Sequence, residues 1–264
     1  MELGLRDKVV IVTGGSKGVG AGISEIFAQE GATLVIDYRS DREYSENFAR
    51  GLAEKYGIRA IAVQADVSRE EECERLFQEA LQAYGTVDCL INNAATWCKH
   101  YPIEEFNLED YRYASRANVE SVLMLSSRFI KICKQQKKPG HIVNVLTKSV
   151  FWSSSINNDI YVATKGSVAA VTRSLAHECA KDDIYVNAII PGYSLNSSTD
   201  LNSDRMKRVI GYIPNGILAT PFDMGYVTVF LCSDKASQIN GAMIDCTGGT
   251  MNGHGDAAIK KREE

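Results

Sequence analysis

Tyr161 and Lys165 are a phenol and an ammonium that stand four residues apart in a segment of helical periodicity. Residues i and i+4 are neighbours on one face of a helix, so the two groups should lie close together. A positive charge beside a phenol favours the phenolate, which predicts a pKa for Tyr161 below its ordinary value of about 10. The pair is therefore a candidate for general acid–base chemistry, with a solvated helix face as the alternative interpretation.

A glycine-rich turn follows the apolar run 8–12 and precedes a segment in which apolar residues recur at helical spacing, 23–27. A strand, a glycine turn and a helix in this order allow backbone N–H groups and a helix N-terminus to bind a pyrophosphate. The glycines are Gly14, Gly18 and Gly20, a G-x-x-x-G-x-G spacing that differs from the best-known dinucleotide fingerprint. The alternative is an ordinary glycine-containing turn.

Apolar runs of strand length alternate along the chain with longer segments of helical period. The predicted strands lie near 8–12, 32–37, 58–63, 87–92, 141–146, 184–190 and 242–246, and the predicted helices near 18–30, 41–56, 69–84, 107–136, 160–181 and 221–233. Such alternation predicts a single-domain α/β fold, a Rossmann-type doubly wound parallel sheet of about seven strands with helices on both faces. We expect a catalytic domain over 1–252 and a C-terminal tail over 253–264.

Three further motifs extend the pattern. They are an N-N-A strand end at 92–94 with Ala95 where glycine is usual, the pair Asp66-Val67, and the turn Pro191-Gly192. With the glycine turn and the Tyr-x-x-x-Lys pair, these motifs resemble the short-chain dehydrogenase/reductase family over about residues 5–250. The resemblance implies an oxidoreductase that transfers a hydride between a nicotinamide cofactor and a secondary alcohol or ketone.

The resemblance also implies roles for individual residues. Tyr161 would transfer the proton, while Lys165 would lower the pKa of the tyrosine and bind the nicotinamide ribose. Asn118 matches the family's asparagine that supports a water relay to the lysine. A helix-interior asparagine that bonds locally to backbone is the alternative for Asn118.

The family's catalytic serine has no direct counterpart. It usually stands thirteen residues before the tyrosine, and Lys148 occupies that position. Counting from the strand near 141–146 instead places Thr147 at the serine position, with Ser149 as the alternate. Thr147 offers the same hydroxyl donor and acceptor as serine. If neither residue acts, the chain would be a catalytically degenerate nucleotide-binding regulatory protein.

The cofactor preference depends on charge beside the adenine ribose. Tyr38 stands where relatives that use NAD have an aspartate. The cation Arg39 follows it directly, and a second cation, Lys17, lies in the glycine turn. Asp37 should point to the opposite face of the strand. Two cations without a correctly placed carboxylate favour NADP(H), with NAD(H) possible. The expected cofactor-binding residues are Gly14, Ser16, Lys17, Gly18, Val19, Gly20, Tyr38, Arg39, Ser40, Asp66, Val67, Asn93, Ala94, Ala95, Tyr161, Lys165, Pro191 and Gly192.

Two polar and aromatic segments, 148–158 and 193–214, follow the carboxyl ends of predicted strands, where open α/β sheets bind ligands. We expect them to contact the substrate, the second as a candidate lid. The predicted substrate-binding residues are Trp97, Ser149, Phe151, Trp152 and Tyr193. The substrate is either a polyol, sugar or sugar acid, or an alicyclic alcohol such as a hydroxysteroid.

Composition narrows the class of partner. Lys and Arg number 29 against 33 Asp and Glu, a net charge of −4, without a basic stripe for nucleic acid or an anionic membrane. No apolar run approaches the ~20 residues of a membrane span. The seven cysteines contain no C-x-x-C pair and the histidines have no metal-ligand spacing, so we predict no metal site. We interpret the cysteines as reduced thiols, which predicts a cytoplasmic protein. The family resemblance and the long apolar helices near 107–136 and 160–181 imply a homotetramer.

Overall fold

Seven parallel strands form one sheet in the computed structural model, which describes residues 2–152, 156–195 and 199–253. The strand order is β3-β2-β1-β4-β5-β6-β7, so the order reverses between β1 and β4. This confirms the predicted Rossmann-type sheet. The strands are β1 Val9–Val12, β2 Thr33–Tyr38, β3 Ala60–Gln64, β4 Cys89–Asn92, β5 Gly140–Val145, β6 Ile184–Pro191 and β7 Met243–Cys246.

Helices cover both faces of the sheet through the connections between parallel strands. Their bounds are α1 Gly18–Gln29, α2 Arg42–Tyr56, α3 Glu70–Tyr84, α4 Leu108–Ser115, α5 Ser121–Gln136, α6 Asp159–Cys179, α7 Asp204–Gly211 and α8 Pro221–Leu231. None of these helices is long and apolar enough to cross a membrane, in the part of the chain that the structure describes.

Apolar burial on the two faces of the sheet produces two main core clusters. One contains Phe27 of α1 and Met224 of α8, and the other contains Phe77 of α3 and Phe129 of α5. Every residue of β1 is buried, as expected for a strand covered on both faces. Strand β1 is therefore apolar along its length and is followed at once by the polar residue Thr13.

The segment 107–136 differs from the single helix that the periodicity predicts. A π-helical turn at Arg116–Glu120 separates α4 from α5, and Asn118 lies in this turn. A π turn adds a residue to the local repeat and shifts the side chains that follow it, which a 3.6-residue pattern does not reveal. The turn places Asn118 against the loop that follows β4, where its side chain bonds to Thr96.

Helix α7 is the second difference, because the sequence predicts only a loop over 193–214. Ser203 caps this helix by accepting a hydrogen bond from the N–H of Met206. Buried Ile210 of α7 packs with Ile213 and Leu218 in a small cluster separate from the main core. The helix is short and mostly polar, so its apolar period is too brief to be recognised in the sequence.

Candidate active site

A cleft of about 1020 Å³ opens along the carboxyl edge of the sheet, above the ends of β1, β2, β4, β5 and β6. Most of the predicted site residues line it. Those that do are Gly14, Ser16, Lys17, Gly18, Val19, Tyr38, Arg39, Ser40, Asp66, Val67, Asn93, Ala94, Ala95, Trp97, Thr147, Ser149, Tyr161, Lys165, Pro191, Gly192 and Tyr193. Gly20, Asn118, Phe151 and Trp152 do not line this cleft.

The glycine turn forms one end of the cleft. Gly14 and Gly18 have φ values of +59° and +53°, which favour glycine. Gly20 has a packing role instead, because a Cβ there would lie 2.3 Å from the carbonyl oxygen of Gly14. Helix α1 begins at Gly18, so its free N–H groups face the cleft beside this turn. This backbone cradle at a helix N-terminus fits the pyrophosphate of a dinucleotide.

The hydroxyl of Thr13 connects this turn to β4. Thr13 Oγ1 accepts hydrogen bonds from the backbone N–H groups of Asn93 and Ala94, both at 2.9 Å, and donates to the carbonyl oxygen of Ile91 at 3.1 Å. The amide of Asn93 in turn donates to the carbonyl oxygens of Thr13 and Gly14. The ends of β1 and β4 are thus held together at the point where the strand order reverses.

Tyr161 and Lys165 both lie in the cleft and are both buried. The Nζ atom of Lys165 donates to the carbonyl oxygen of Val145 at 2.7 Å, and burial lowers the pKa of Lys165 to about 8. Burial raises the pKa of Tyr161 to about 12, with a smaller contribution from Cys98. The expected lowering of the tyrosine pKa is therefore wrong for this arrangement, because burial disfavours the charged phenolate.

Trp97 covers Tyr161. Its ring stacks on that of Tyr161 with 4.9 Å between the ring centroids and an interplanar angle of 13°. Trp97 itself is 71% exposed, whereas only 9% of Tyr161 is exposed. This contact explains part of the burial that raises the tyrosine pKa.

Asn118 is fully buried behind the cleft and positions other residues. Its Oδ1 accepts from the N–H of Thr96 at 2.8 Å, and its Nδ2 donates to the carbonyl oxygen of Thr96 and to the hydroxyl of Thr164. These bonds connect the loop after β4 to helix α6, which carries Tyr161. The side-chain amide has no further hydrogen to donate to a water relay.

Thr147 and Ser149 both line the cleft, directly after β5. The hydroxyl oxygen of Thr147 accepts from the N–H of Ser149 at 3.4 Å and caps the short helical turn Lys148–Val150. This long bond leaves the Thr147 hydroxyl hydrogen available to a ligand. Lys148 also lines the cleft and is buried, a site residue that the sequence analysis missed. Its position thirteen residues before Tyr161 is the signal that could have identified it.

Phe151 and Trp152, which we predict to contact the substrate, do not line the cleft. The helical turn after Thr147 directs Lys148 inward and leaves Phe151 with 44% of its surface exposed. The opposite wall is formed by α7, which contributes residues such as Met206 and Val209.

The adenine end of the cleft contains the residues predicted to select the cofactor. Tyr38 is buried and both Arg39 and Ser40 line the cleft. The Nη1 atom of Arg39 lies 3.4 Å from the Tyr113 hydroxyl, whereas Lys17 forms an ion pair with Asp41 at 2.5 Å. Asp41 was not anticipated from the sequence, and it neutralises one of the two cations expected there.

Comparison with known proteins agrees with this geometry. A model for short-chain dehydrogenases, described as enoyl-(acyl carrier protein) reductase, matches residues 14–251. The 3beta-hydroxysteroid dehydrogenase 1 of Eggerthella lenta is 33% identical over 250 residues, covering 93% of this chain and 94% of that protein. The 3-oxoacyl-(acyl-carrier-protein) reductase FabG of Aquifex aeolicus is 30% identical over 250 residues, covering 94% of this chain and 99% of that protein.

Solved structures of similar fold are also oxidoreductases of this kind, as one example illustrates. The L-sorbose reductase from Gluconobacter frateurii, complexed with NADPH and L-sorbose, has a TM-score of 0.88 and 27% identity, covering 95% of this chain and 99% of that chain. The fold and the cleft define a dinucleotide-binding oxidoreductase. The chain belongs to the short-chain dehydrogenase/reductase family, whose members use NAD(P)(H).

Asp37 is a buried acid beneath the glycine turn. Its Oδ2 accepts from the N–H of Gly14 at 3.0 Å, whereas its Oδ1 has no hydrogen-bond partner. Burial, with smaller contributions from Asp66 and Glu72, raises the pKa of Asp37 to about 7. The folded chain therefore holds a proton at this carboxyl that the unfolded chain has already released near its ordinary pKa of about 4.

We expect the free energy of unfolding to fall as the pH rises from about 4 to 7, because the native state binds the extra proton in this window. Asp37→Asn keeps an acceptor for Gly14 and removes the titration. The stability of this variant relative to wild type should increase by roughly 2–3 kcal/mol between pH 5 and pH 8, measured by urea unfolding. The exposed Asp183→Asn serves as the control, and an equal pH response of both variants would contradict the assignment.

Proposed function

We propose that the protein is an NADP(H)-dependent oxidoreductase that interconverts a secondary alcohol and a ketone. The observation that carries this proposal is that Tyr161, Lys165 and the Thr147 hydroxyl line one cleft with the glycine turn. A proton donor, a buried cation and a second hydroxyl are the groups that carbonyl reduction requires. The glycine turn lies at the same sheet edge, where a dinucleotide would present its reactive end to these groups.

The nicotinamide supplies or accepts the hydride when bound. In the reducing direction the carbonyl oxygen gains negative charge, which the hydroxyl of Thr147 stabilises by donating a hydrogen bond. The O–H bond of Tyr161 then breaks and its proton passes to the substrate oxygen, which completes the alcohol. A pKa of about 12 keeps Tyr161 protonated before this step, and the ammonium of Lys165 stabilises the phenolate left behind.

Cofactor preference rests on charge at the adenine end. Arg39 has no carboxylate within ion-pair distance among the described residues, whereas Lys17 is paired with Asp41. Arg39 is therefore the main group for a ribose 2′-phosphate, and Lys17 contributes less. Use of NAD(H) remains compatible with the cleft, because the free 2′-hydroxyl of NAD(H) carries no charge that Arg39 must balance.

Arg39→Ala should raise the KM for NADPH by about 10- to 100-fold and leave the KM for NADH within about threefold, since a charge-assisted hydrogen bond is worth roughly 1.5–3 kcal/mol. Lys17→Ala should have a smaller effect on NADPH, because its Asp41 partner already balances the charge. Initial rates at varied NADPH and NADH concentrations give these KM values. Equal effects of Arg39→Ala on NADPH and NADH would contradict the preference for NADP(H).

Thr147→Val, which is similar in volume, should lower kcat by on the order of 10²–10³, the scale observed when one oxyanion donor is removed. Tyr161→Phe should lower kcat further because the proton donor is lost. Absorbance of NADPH with a panel of ketones measures turnover, and Thr147→Ser should retain most of it.

Ser149→Ala is the matched comparison for Thr147→Val. Normal turnover of Thr147→Val together with an inactive Ser149→Ala would assign the role to Ser149. Binding of NADPH without turnover of any ketone or alcohol would instead support a regulatory protein.

Assembly is the last part of the proposal. We infer a homotetramer in the cytoplasm, supported by exposed apolar side chains on two helices and by the free state of the seven cysteines. The exposed side chains are Leu123 of α5 and Phe222, Tyr226 and Phe230 of α8, the last three spaced along one face of their helix. Such faces are suited to burial against symmetry mates.

Light scattering at micromolar concentration should give a mass near four times 29.0 kDa. Leu123→Glu should shift the protein towards smaller species, because it places a charge on the α5 face. Leu201→Glu, an equally exposed leucine outside these helices, should leave the mass unchanged. A monomer mass for the wild type would exclude the tetramer.

A further inference from the structure

Lys148 is a buried cation without an anionic partner. Only 6% of the residue is exposed, and it lines the cleft directly beside Thr147. Its Nζ lies 3.8 Å from the centroid of the Tyr193 ring, a cation–π contact. Among the described residues no carboxylate lies within ion-pair distance of Lys148, and burial lowers its pKa.

Two neutral polar groups with unused hydrogen-bonding capacity line the same cleft. Asn158 is 5% exposed and its Oδ1 has no partner, and the hydroxyl of Ser194 is also buried without a partner. Asn158 precedes Tyr161 by three residues, at the start of helix α6. Ser194 follows Tyr193 on the loop after β6. Buried polar groups normally find partners, so Lys148, Asn158 and Ser194 together mark a position for a polar ligand.

This position belongs to the substrate end of the cleft. Lys148 and Tyr193 follow β5 and β6, whereas the glycine turn follows β1, which is two strands away from β5. Neighbouring strands are about 4.8 Å apart, so the ends of β1 and β5 are roughly 10 Å apart. Tyr38 and Arg39, at the end of β2, are one strand further. Lys148 therefore lies on the side of the cleft formed by the ends of β5 and β6, together with Thr147 and Tyr193.

Charges at the mouth of the cleft are consistent with an anionic ligand. Arg205 of α7 lines the cleft from the wall opposite the sheet and has no ion-pair partner among the described residues. Asp200 also lines the cleft, where it is exposed and accepts a hydrogen bond from the N–H of Asn202, whereas Asp204, the neighbour of Arg205, pairs with Lys207. Lys148 is thus a second buried ammonium at this end, in addition to Lys165 beside Tyr161.

We infer that the substrate carries a carboxylate, which the ammonium of Lys148 binds while Asn158 and Ser194 bond to its neighbouring oxygens. This inference rests on the proposed function, and it selects hydroxy and keto acids, including sugar acids, over neutral polyols and hydroxysteroids. A buried ammonium without a partner is costly, and a carboxylate at this position offsets the cost. An uncharged substrate would cover Lys148 and leave it unpaired.

The test uses pairs of compounds in which a carboxylate is replaced by its neutral carboxamide. The pairs are gluconate with gluconamide, and 3-oxocyclohexanecarboxylate with 3-oxocyclohexanecarboxamide, each measured with NADP(H). For the wild type, kcat/KM should favour the acid by about 10- to 150-fold, since one charge-assisted hydrogen bond is worth roughly 1.5–3 kcal/mol.

Lys148→Met should raise the KM for the acid by this factor and change that for the amide by less than about threefold. Lys148→Arg should retain most of the preference. Lys181→Met, on an exposed lysine after α6, is the matched control and should change neither the KM for the acid nor the KM for the amide. Equal kcat/KM values for acid and amide in the wild type, or equal losses for both in Lys148→Met, would overturn the inference.

Binding separates this inference from the proposed function. If NADP(H) binds but no compound is turned over, the proposed function fails, and the carboxylate site is judged by calorimetric titration of each pair into the NADP⁺-saturated protein. Tighter binding of the acid, lost in Lys148→Met, supports the site. No binding of either acid, or equal binding of acid and amide, overturns it, and so does tighter binding of glucitol 6-phosphate than of gluconate.

Discussion

Burial of the sheet on both faces is the constraint on which the functional site depends. A strand covered on both sides carries apolar side chains along its length, so its polar residues accumulate where it ends. Val9–Val12 are buried, and Thr13 begins the polar edge with three hydrogen bonds to β4. In a parallel sheet all carboxyl ends meet at one edge, which places the glycine turn, the residues after β5 and the turn after β6 around one cleft.

A polar network beneath this edge keeps the strand ends in register. Asn92 at the end of β4 donates to Asn144 of β5 at 2.8 Å, and Asn144 donates to the hydroxyl of Thr172 on α6 at 2.9 Å. Because all three side chains are buried, breaking one bond would leave unpaired polar groups in the core. The network attaches helix α6, and with it Tyr161, to the centre of the sheet.

Of the three lysines that line this cleft, Lys165 and Lys148 are buried and have different partners. Lys165 donates to the carbonyl oxygen of Val145, a neutral acceptor that orients the ammonium and leaves its charge available to the phenol. Lys148 contacts only the face of Tyr193 among ionic or aromatic groups of the described residues. The first arrangement supports proton transfer, and the second is suited to an anion from outside the protein. Desolvation acts on both, so each gains more from a negative partner than an exposed lysine would.

Local patterns were sufficient for the framework. The seven strands, the glycine turn and the Tyr161–Lys165 pair were predicted from periodicity and motif spacing, because each depends on residues within one or two turns of the chain. Two helical features were not predicted from the sequence. The π turn that contains Asn118 depends on hydrogen bonds to Thr96 across the fold, and α7 is stabilised mainly by its contact with Ile213 and Leu218.

The sequence by itself determined which chemistry is present: a phenol, an ammonium and a hydroxyl at the ends of buried strands. Only the tertiary structure decided the state of these groups. Trp97 approaches from the loop after β4 and buries Tyr161, whose pKa rises where the isolated pair predicts a fall. The turn after Thr147 directs Lys148 inward and Phe151 outward. Desolvation sums over every element packed around a side chain, and sequence spacing describes only the neighbours on its own helix or strand.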